Sequence, residues 1–311
     1  MCEDDSFDDM IAYRLRSDLL SRRGFGSLSL GAGLVSLLPV GCKSTEPALA
    51  SVPAPTAAAA GAVITTTESE VSITTPDGAC DAYFVRPTTG SAPAVLIWPD
   101  IFGLRPAFRQ MGKRLAESGY AVLVVNPFYR TSKAPTSPPH ADFEDPATRE
   151  ALMGLARSLT PETAGVDAKA LTAWLDQQPS VDKTRKMGTT GYCMGGPLVM
   201  RTAATNPDRV GAAATFHGGG LVSEKPDSPH LLIPKMKAQF LIAIAANDDA
   251  KQPDAKATLK AAFGQASLRA KVGVYEGTMH GWCPPDSKVY NREAAEKAWG
   301  ELLLLLKNAL G

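Results

Sequence analysis

Apolar residues along this chain gather in short runs that alternate between two periods. "APAVLIW" (92–98) and "YAVLVV" (120–125) are continuous apolar runs of strand length, the pattern of strands buried on both faces. "KMGTTGY" (186–192), "VGAAATF" (210–216), "AQFLIAIAA" (238–246) and "KVGVYEG" (271–277) read as further strands. Between them, "AFRQMGKRLAESG" (107–119), "AGVDAKALTAWLDQQ" (164–178), "MGGPLVMRTAAT" (194–205), "DAKATLKAAF" (254–263) and "EAAEKAWGELLLLLKNAL" (293–310) repeat their apolar positions at helical spacing. Strand followed by helix, over and over, predicts an α/β fold: a mostly parallel, doubly wound sheet with helices on both faces. Ahead of this series stand two short β-branched segments, "AVITTT" (62–67) and "VSITTP" (71–76). A "PDG" turn (76–78) then leads into the alternating strand "CDAYFVRP" (80–87). Residues 126–147 are polar, Pro-rich and without period, and a loop of that length inside a domain is usually functional. No repeat or second break in composition appears, so 62–311 is expected to be one domain.

The first 61 residues follow other rules. An acidic start, the pair Arg22-Arg23 in "SRRGF" and the Gly/Ser-rich apolar run "GSLSLGAGLVSLLPVGC" predict a signal peptide over 1–42. The run falls short of the ~20 apolar residues of a membrane span. "SRRGF" resembles the twin-arginine export signal, and "LPVGC" resembles a lipoprotein cleavage site with Cys42 as the lipidated residue. The expectation is an exported, periplasmic or envelope-associated protein, with membrane attachment only through Cys42. Residues 43–61, "KSTEPALASVPAPTAAAAG", read as an Ala/Pro-rich linker.

Composition narrows the function classes. With 32 basic and 32 acidic residues, and no basic stripe interleaved with aromatics, nucleic acid is not an expected partner. The five cysteines stand singly, without a C-x-x-C pair, so neither a zinc site nor a disulfide framework is indicated. Cys80 and Cys283 are expected to be unpaired. No cofactor is expected, and the protein is expected to be a monomer.

"TTGYCMGGPL" (189–198) carries the chemistry. Cys193 stands at a strand-to-helix junction between Gly191 and Gly195. A nucleophile on such a turn sits in a strained backbone conformation, with no room for side chains two residues away on either side. The same turn aims the N–H of Met194 at the place where an oxyanion would form. An orienting acid and a base should follow at later strand ends. "AIAANDDAKQP" supplies Asp248 and Asp249, and "VYEGTMHGW" supplies His280. Nucleophile, acid, histidine is the chain order of α/β-hydrolases. Which aspartate serves is left open by the doublet, with Asp248 preferred. His217, at the end of the strand after the elbow, is the rival base or a residue on the substrate side. His140 and His230 lie in polar loops and are expected to be solvated.

With "GYCMGG", "PDIFGLRPAFRQMGKRLAESGYAVLVVNPFYR", and "MHGW" followed by "AAEKAW", residues 62–311 resemble the dienelactone hydrolase family of the α/β-hydrolase fold. The resemblance implies hydrolysis of small esters or lactones through an acyl-enzyme. Cys193 would be nucleophile, His280 base and Asp248 its orienter, with the amides of Met194 and Ile101 as oxyanion hole. It further implies that Asp100 stands where family members carry a glutamate contacting the nucleophile, and that Arg130 pairs with a substrate carboxylate. A second carboxylate-binding arginine, expected four residues after the histidine, is replaced by Pro284. Outside the enzyme class, the sequence leaves room for an inactive fold that binds a ligand at the cell envelope. A redox-sensing thiol would need a resolving cysteine close to Cys193, which the sequence does not show.

Overall fold

The computed structural model describes residues 64–311; the signal peptide expected over 1–42, Cys42 and the linker at 43–61 lie outside the described residues. The described residues form one eight-stranded sheet: β1 (Thr66–Thr75), β2 (Gly78–Pro87), β3 (Ala94–Trp98), β4 (Ala121–Val125), β5 (Met187–Tyr192), β6 (Val210–Phe216), β7 (Gln239–Ala245) and β8 (Ala270–Tyr275). Their order across the sheet is β1-β2-β4-β3-β5-β6-β7-β8. β1 and β2 form an antiparallel hairpin, β2 pairs antiparallel with β4, and every pairing from β4 to β8 is parallel. The mostly parallel, doubly wound α/β sheet expected from the alternation is therefore present.

Seven α-helices cover the sheet among the described residues: α1 (Pro106–Ala116), α2 (Pro146–Ala156), α3 (Pro161–Asp176), α4 (Gly195–Thr205), α5 (Ala246–Lys251), α6 (Pro253–Gln265) and α7 (Arg292–Leu310). A 3₁₀ turn spans Pro229–Lys235. Successive strand residues point to opposite faces, so β3 serves two cores. Leu96 joins Leu123, Leu171 and Val199 under α3 and α4, whereas Val95 and Ile97 join Phe108, Leu302 and Leu306 under α1 and α7. Helix α7 buries Ala298, Trp299, Leu302, Leu306 and Leu310, one stripe at three- and four-residue spacing.

Three elements differ from the sequence expectation. The described parts of the two expected segments fall on one strand, β1 (Thr66–Thr75), because Glu68 and Glu70 on its exposed side alternate with inward Ile73 rather than interrupting it. The region after residue 145 opens at once into α2, with Asp145 accepting the Thr148 amide as N-cap and Pro146 in the first turn. Helix α5 begins directly at the end of β7.

Winding reverses between β3 and β5: the chain steps outward from β3 to β4, then returns past β3 to β5 and onward to β8. Crevices at such switch points, outside the carboxyl ends of the strands, are where open α/β sheets bind ligands. The segments leaving those ends carry Asp100 and Ile101 (β3), Arg130 (β4), Cys193 (β5), His217 (β6), Asp248 (β7) and His280 (β8).

Candidate active site

Cys193 has φ 51°, a left-handed conformation costing a non-glycine residue about 1–3 kcal/mol. Its amide donates to Phe216 O at 3.0 Å, which fixes the turn against β6. The flanking glycines are required by contact. A Cβ on Gly191 would lie 2.4 Å from Gly195 O, and one on Gly195 would lie 2.3 Å from Trp98 O. The second contact shows that the elbow is seated on the end of β3, one turn ahead of Ile101. The amides of Ile101 and Met194 have no acceptor among the described residues, as donors kept for an incoming oxyanion would be.

His280 Nδ1 donates to Asp248 Oδ2 at 2.8 Å, and the His280 amide donates to Asn247 Oδ1 at 2.7 Å. Short helix α5 thus fixes both the ring and the backbone of the histidine. Its helical phase separates the doublet: Asp248 meets His280, while Asp249 pairs with Lys256 at 3.0 Å. Burial alone would lower the imidazole pKa, but the negative charge of the Asp248 carboxylate and then that of Cys193 hold it well above the ordinary 6.5. With Nδ1 occupied by Asp248, Nε2 is the ring nitrogen left to take a proton. A raised folded-state value stabilises the fold in full below the unfolded pKa, near 6.5, and this contribution is lost as pH climbs through the raised value. Asp248→Asn is therefore expected to cost on the order of 1–3 kcal/mol at pH 6, with the gap to the unmutated protein narrowing toward alkaline pH. Urea unfolding at both ends of that range measures it.

His217 is buried, with φ 40°, and its ring centroid lies 5.1 Å from that of His280 in an edge-to-face contact. Tyr192 and Trp282 flank it at 6.1 and 6.3 Å. Burial, reinforced by His280, pushes its pKa well below 6.5, and neither ring nitrogen has a partner among the described residues. No carboxylate orients it. The structure thus places His217 behind His280 as a neutral ring, without the acid that a base in its position would need.

Two expected contacts differ from what the structure shows. Asp100 has no hydrogen bond to the thiol among the described residues: Arg105 Nη1 and Nη2 donate to its two oxygens at 2.6 and 3.0 Å, and Oδ1 also accepts from the Phe102 amide. Arg130 is not open to a substrate carboxylate. Its guanidinium donates to Asp77 from Nε and Nη2 and to Asp167 from Nη1 and Nη2, all at 2.7–3.0 Å, and lies over the Tyr129 ring. Sequence reasoning missed Arg105, which also holds Asp286 through Nε and Nη2 at 2.7 and 2.9 Å. That pair spans 181 residues, and only its position before the α1 proline marked it in the sequence. Cys80 and Cys283 are free and buried, and burial pushes both thiols up, Cys283 well above the ordinary value. His230 is half-buried and hydrogen-bonds Ser228 through Nδ1, rather than standing in solvent.

A family model of the "Dienelactone hydrolase family" matches residues 80–310. The chain belongs to the dienelactone hydrolase family. Among relatives in this family, it is 27% identical over 236 residues to a Synechocystis protein named "Putative carboxymethylenebutenolidase", covering 73% of this chain and 91% of that one. It is 31% identical over 144 residues to the carboxymethylenebutenolidase of Rhodococcus opacus, covering 46% of this chain and 51% of that enzyme. A Klebsiella pneumoniae structure titled "Putative Dienelactone Hydrolase" superposes with a TM-score of 0.67 at 23% identity, over 78% of this chain and 99% of that one. The dienelactone hydrolase fold is thus common to both, and the chain is a hydrolase of this family.

Proposed function

We propose that the protein hydrolyses small esters or lactones through a Cys193–His280–Asp248 triad and an acyl-enzyme. The observation that carries this reading is the joining of two features: Cys193 on a left-handed elbow, and His280 held by Asp248 at 2.8 Å with its pKa raised in part by Cys193. His280 Nε2 takes the thiol proton as sulfur forms a bond to the carbonyl carbon, and the carbonyl π electrons move to oxygen. The amides of Met194 and Ile101 receive that oxyanion. Collapse breaks the C–O bond, and the imidazolium protonates the departing alkoxide, which stays tethered when the substrate is a lactone. His280 then deprotonates a water that attacks the thioester, releasing the acid and returning the thiol. Asp248 keeps the imidazole in the required tautomer. The export expected from Arg22-Arg23 would put this activity in the cell envelope.

The test is turnover of p-nitrophenyl acetate by the full chain, with mass spectrometry of protein quenched during turnover. An acetyl group on Cys193, and turnover that falls in step with Cys193 alkylation by iodoacetamide, are expected. Turnover unaffected by complete alkylation of Cys193 would overturn the proposal.

A further inference from the structure

Ligand-binding arginines in a crevice advertise anionic substrates only when their charge is not already matched. At this crevice it is over-matched. Arg105 is shared between Asp100 and Asp286, one cation between two carboxylates. Arg130 is shared between Asp77 and Asp167, again one between two. Formal charge is therefore −1 in each cluster, one beside the oxyanion loop and one after β4, while the His280–Asp248 pair adds none once the ring is protonated. Pro284 stands where a further arginine was expected. Arg149, on α2, donates through Nε to Phe143 O and lies 5.5 Å from the Phe143 ring, so it is committed to the loop.

Beside these charges, the partly exposed side chains of Phe102 and Met194, which adjoin the two oxyanion amides, are apolar and rest on a buried apolar core. Ile101, Phe128, Phe143 and Leu152 form a third core of their own, distinct from the two that flank the sheet, with Phe102 and Met194 packed against it. Helix α2 and the loop before it supply Leu152, Phe143 and Phe128, the segment after β3 supplies Ile101, and Ser137 Oγ ties the two segments together by donating to Phe102 O at 3.0 Å.

We propose that the site selects uncharged esters with an apolar group beside Phe102 and Met194 and discriminates against substrates bearing a carboxylate. This rests on the reading of Cys193 as nucleophile. A carboxylate approaching Arg105 would have to displace Asp286, exchanging one such contact for another and leaving an aspartate without its partner. An uncharged ester meets no such cost and gains apolar contact. Selection against the wrong charge by carboxylates already in place is specificity through repulsion as much as through fit.

Two measurements on the full chain read this separately from turnover. The first compares kcat/KM for 4-carbamoylphenyl acetate and 4-carboxyphenyl acetate, each normalised to its hydroxide-catalysed rate. The second compares alkylation of Cys193 by iodoacetamide and by iodoacetate, normalised to N-acetylcysteine under the same conditions. A preference of about tenfold or more for the uncharged reagent is expected in both. Asp286→Asn frees one edge of Arg105 and should raise the iodoacetate rate severalfold relative to iodoacetamide. Equal or faster normalised reaction of the anionic reagent, in either comparison, would overturn the proposal. If neither ester turns over while alkylation still favours iodoacetamide, the charge selection stands and the hydrolase reading falls. If the thiol resists both alkylating agents, the ester ratio alone decides.

Discussion

Cys193→Ala and His280→Ala are each expected to lower kcat/KM for p-nitrophenyl acetate by at least about a thousandfold, and the double variant to be scarcely worse than either. The reason is geometric. The imidazole accepts a proton from one atom, Cys193 Sγ, and without that sulfur it has nothing to activate for acylation; without the imidazole the thiol has no base within reach. Either change leaves the oxyanion amides and the apolar cluster intact, so the residual rate is the same small contribution in all three proteins. Asp248→Asn should cost less than either, since it alters the tautomer and orientation of a base that is still present. His217→Phe is the discriminating control. Its ring packs on His280 but has no orienting acid and is held neutral, so an aromatic replacement should keep at least about a tenth of the activity. A dead His217→Phe beside an active His280→Ala would exchange the two histidines' roles.

The strand ends that carry these groups could be read from the sequence because parallel strands buried on both faces leave unbroken apolar runs. Gly191 and Gly195 marked the elbow for a steric reason that the contacts at 2.4 and 2.3 Å bear out. The doublet at 248–249 could not be divided by pattern, since the choice depends on the phase of a six-residue helix too short to show a period. Helix α2 escaped notice because it buries only Leu152 in full, and an apolar stripe one residue wide has no period to detect. Asp100 and Arg130 were harder still. Arg105 lies only five residues from Asp100, but its second partner, Asp286, is 181 residues away, and Arg130's pairings with Asp167 and Asp77, 37 and 53 residues apart, leave no local trace.

That difference gives Arg130 a large effect of another kind: Arg130→Met is expected to destabilise the fold by about 3–5 kcal/mol while leaving KM for an uncharged ester nearly unchanged. Asp167 projects from α3 with its side chain only 2% exposed, and besides Arg130 its recorded side-chain partner is the Tyr129 hydroxyl at 2.7 Å. Removing the guanidinium strands a buried carboxylate whose lost Coulomb and hydrogen-bond energy a single phenol does not replace. Asp77, 39% exposed, can turn to water and should contribute little to the loss. The two partners can be told apart by a cycle. Arg130→Met with Asp167→Leu removes both buried charges together and should recover much of the lost stability, because replacing a buried pair by apolar groups is often neutral, whereas breaking it is not. Urea denaturation midpoints for the single and double variants, together with KM for carbamoyl- and carboxyphenyl acetate, decide the matter. A single variant within about 0.5 kcal/mol of the unmutated protein, combined with a raised KM for the carboxylate ester alone, would make Arg130 a substrate ligand. The expected pattern, lost stability with KM unmoved, makes it the tie that fastens the β1–β2 turn and α3 to the end of β4, and so holds one wall of the crevice in place.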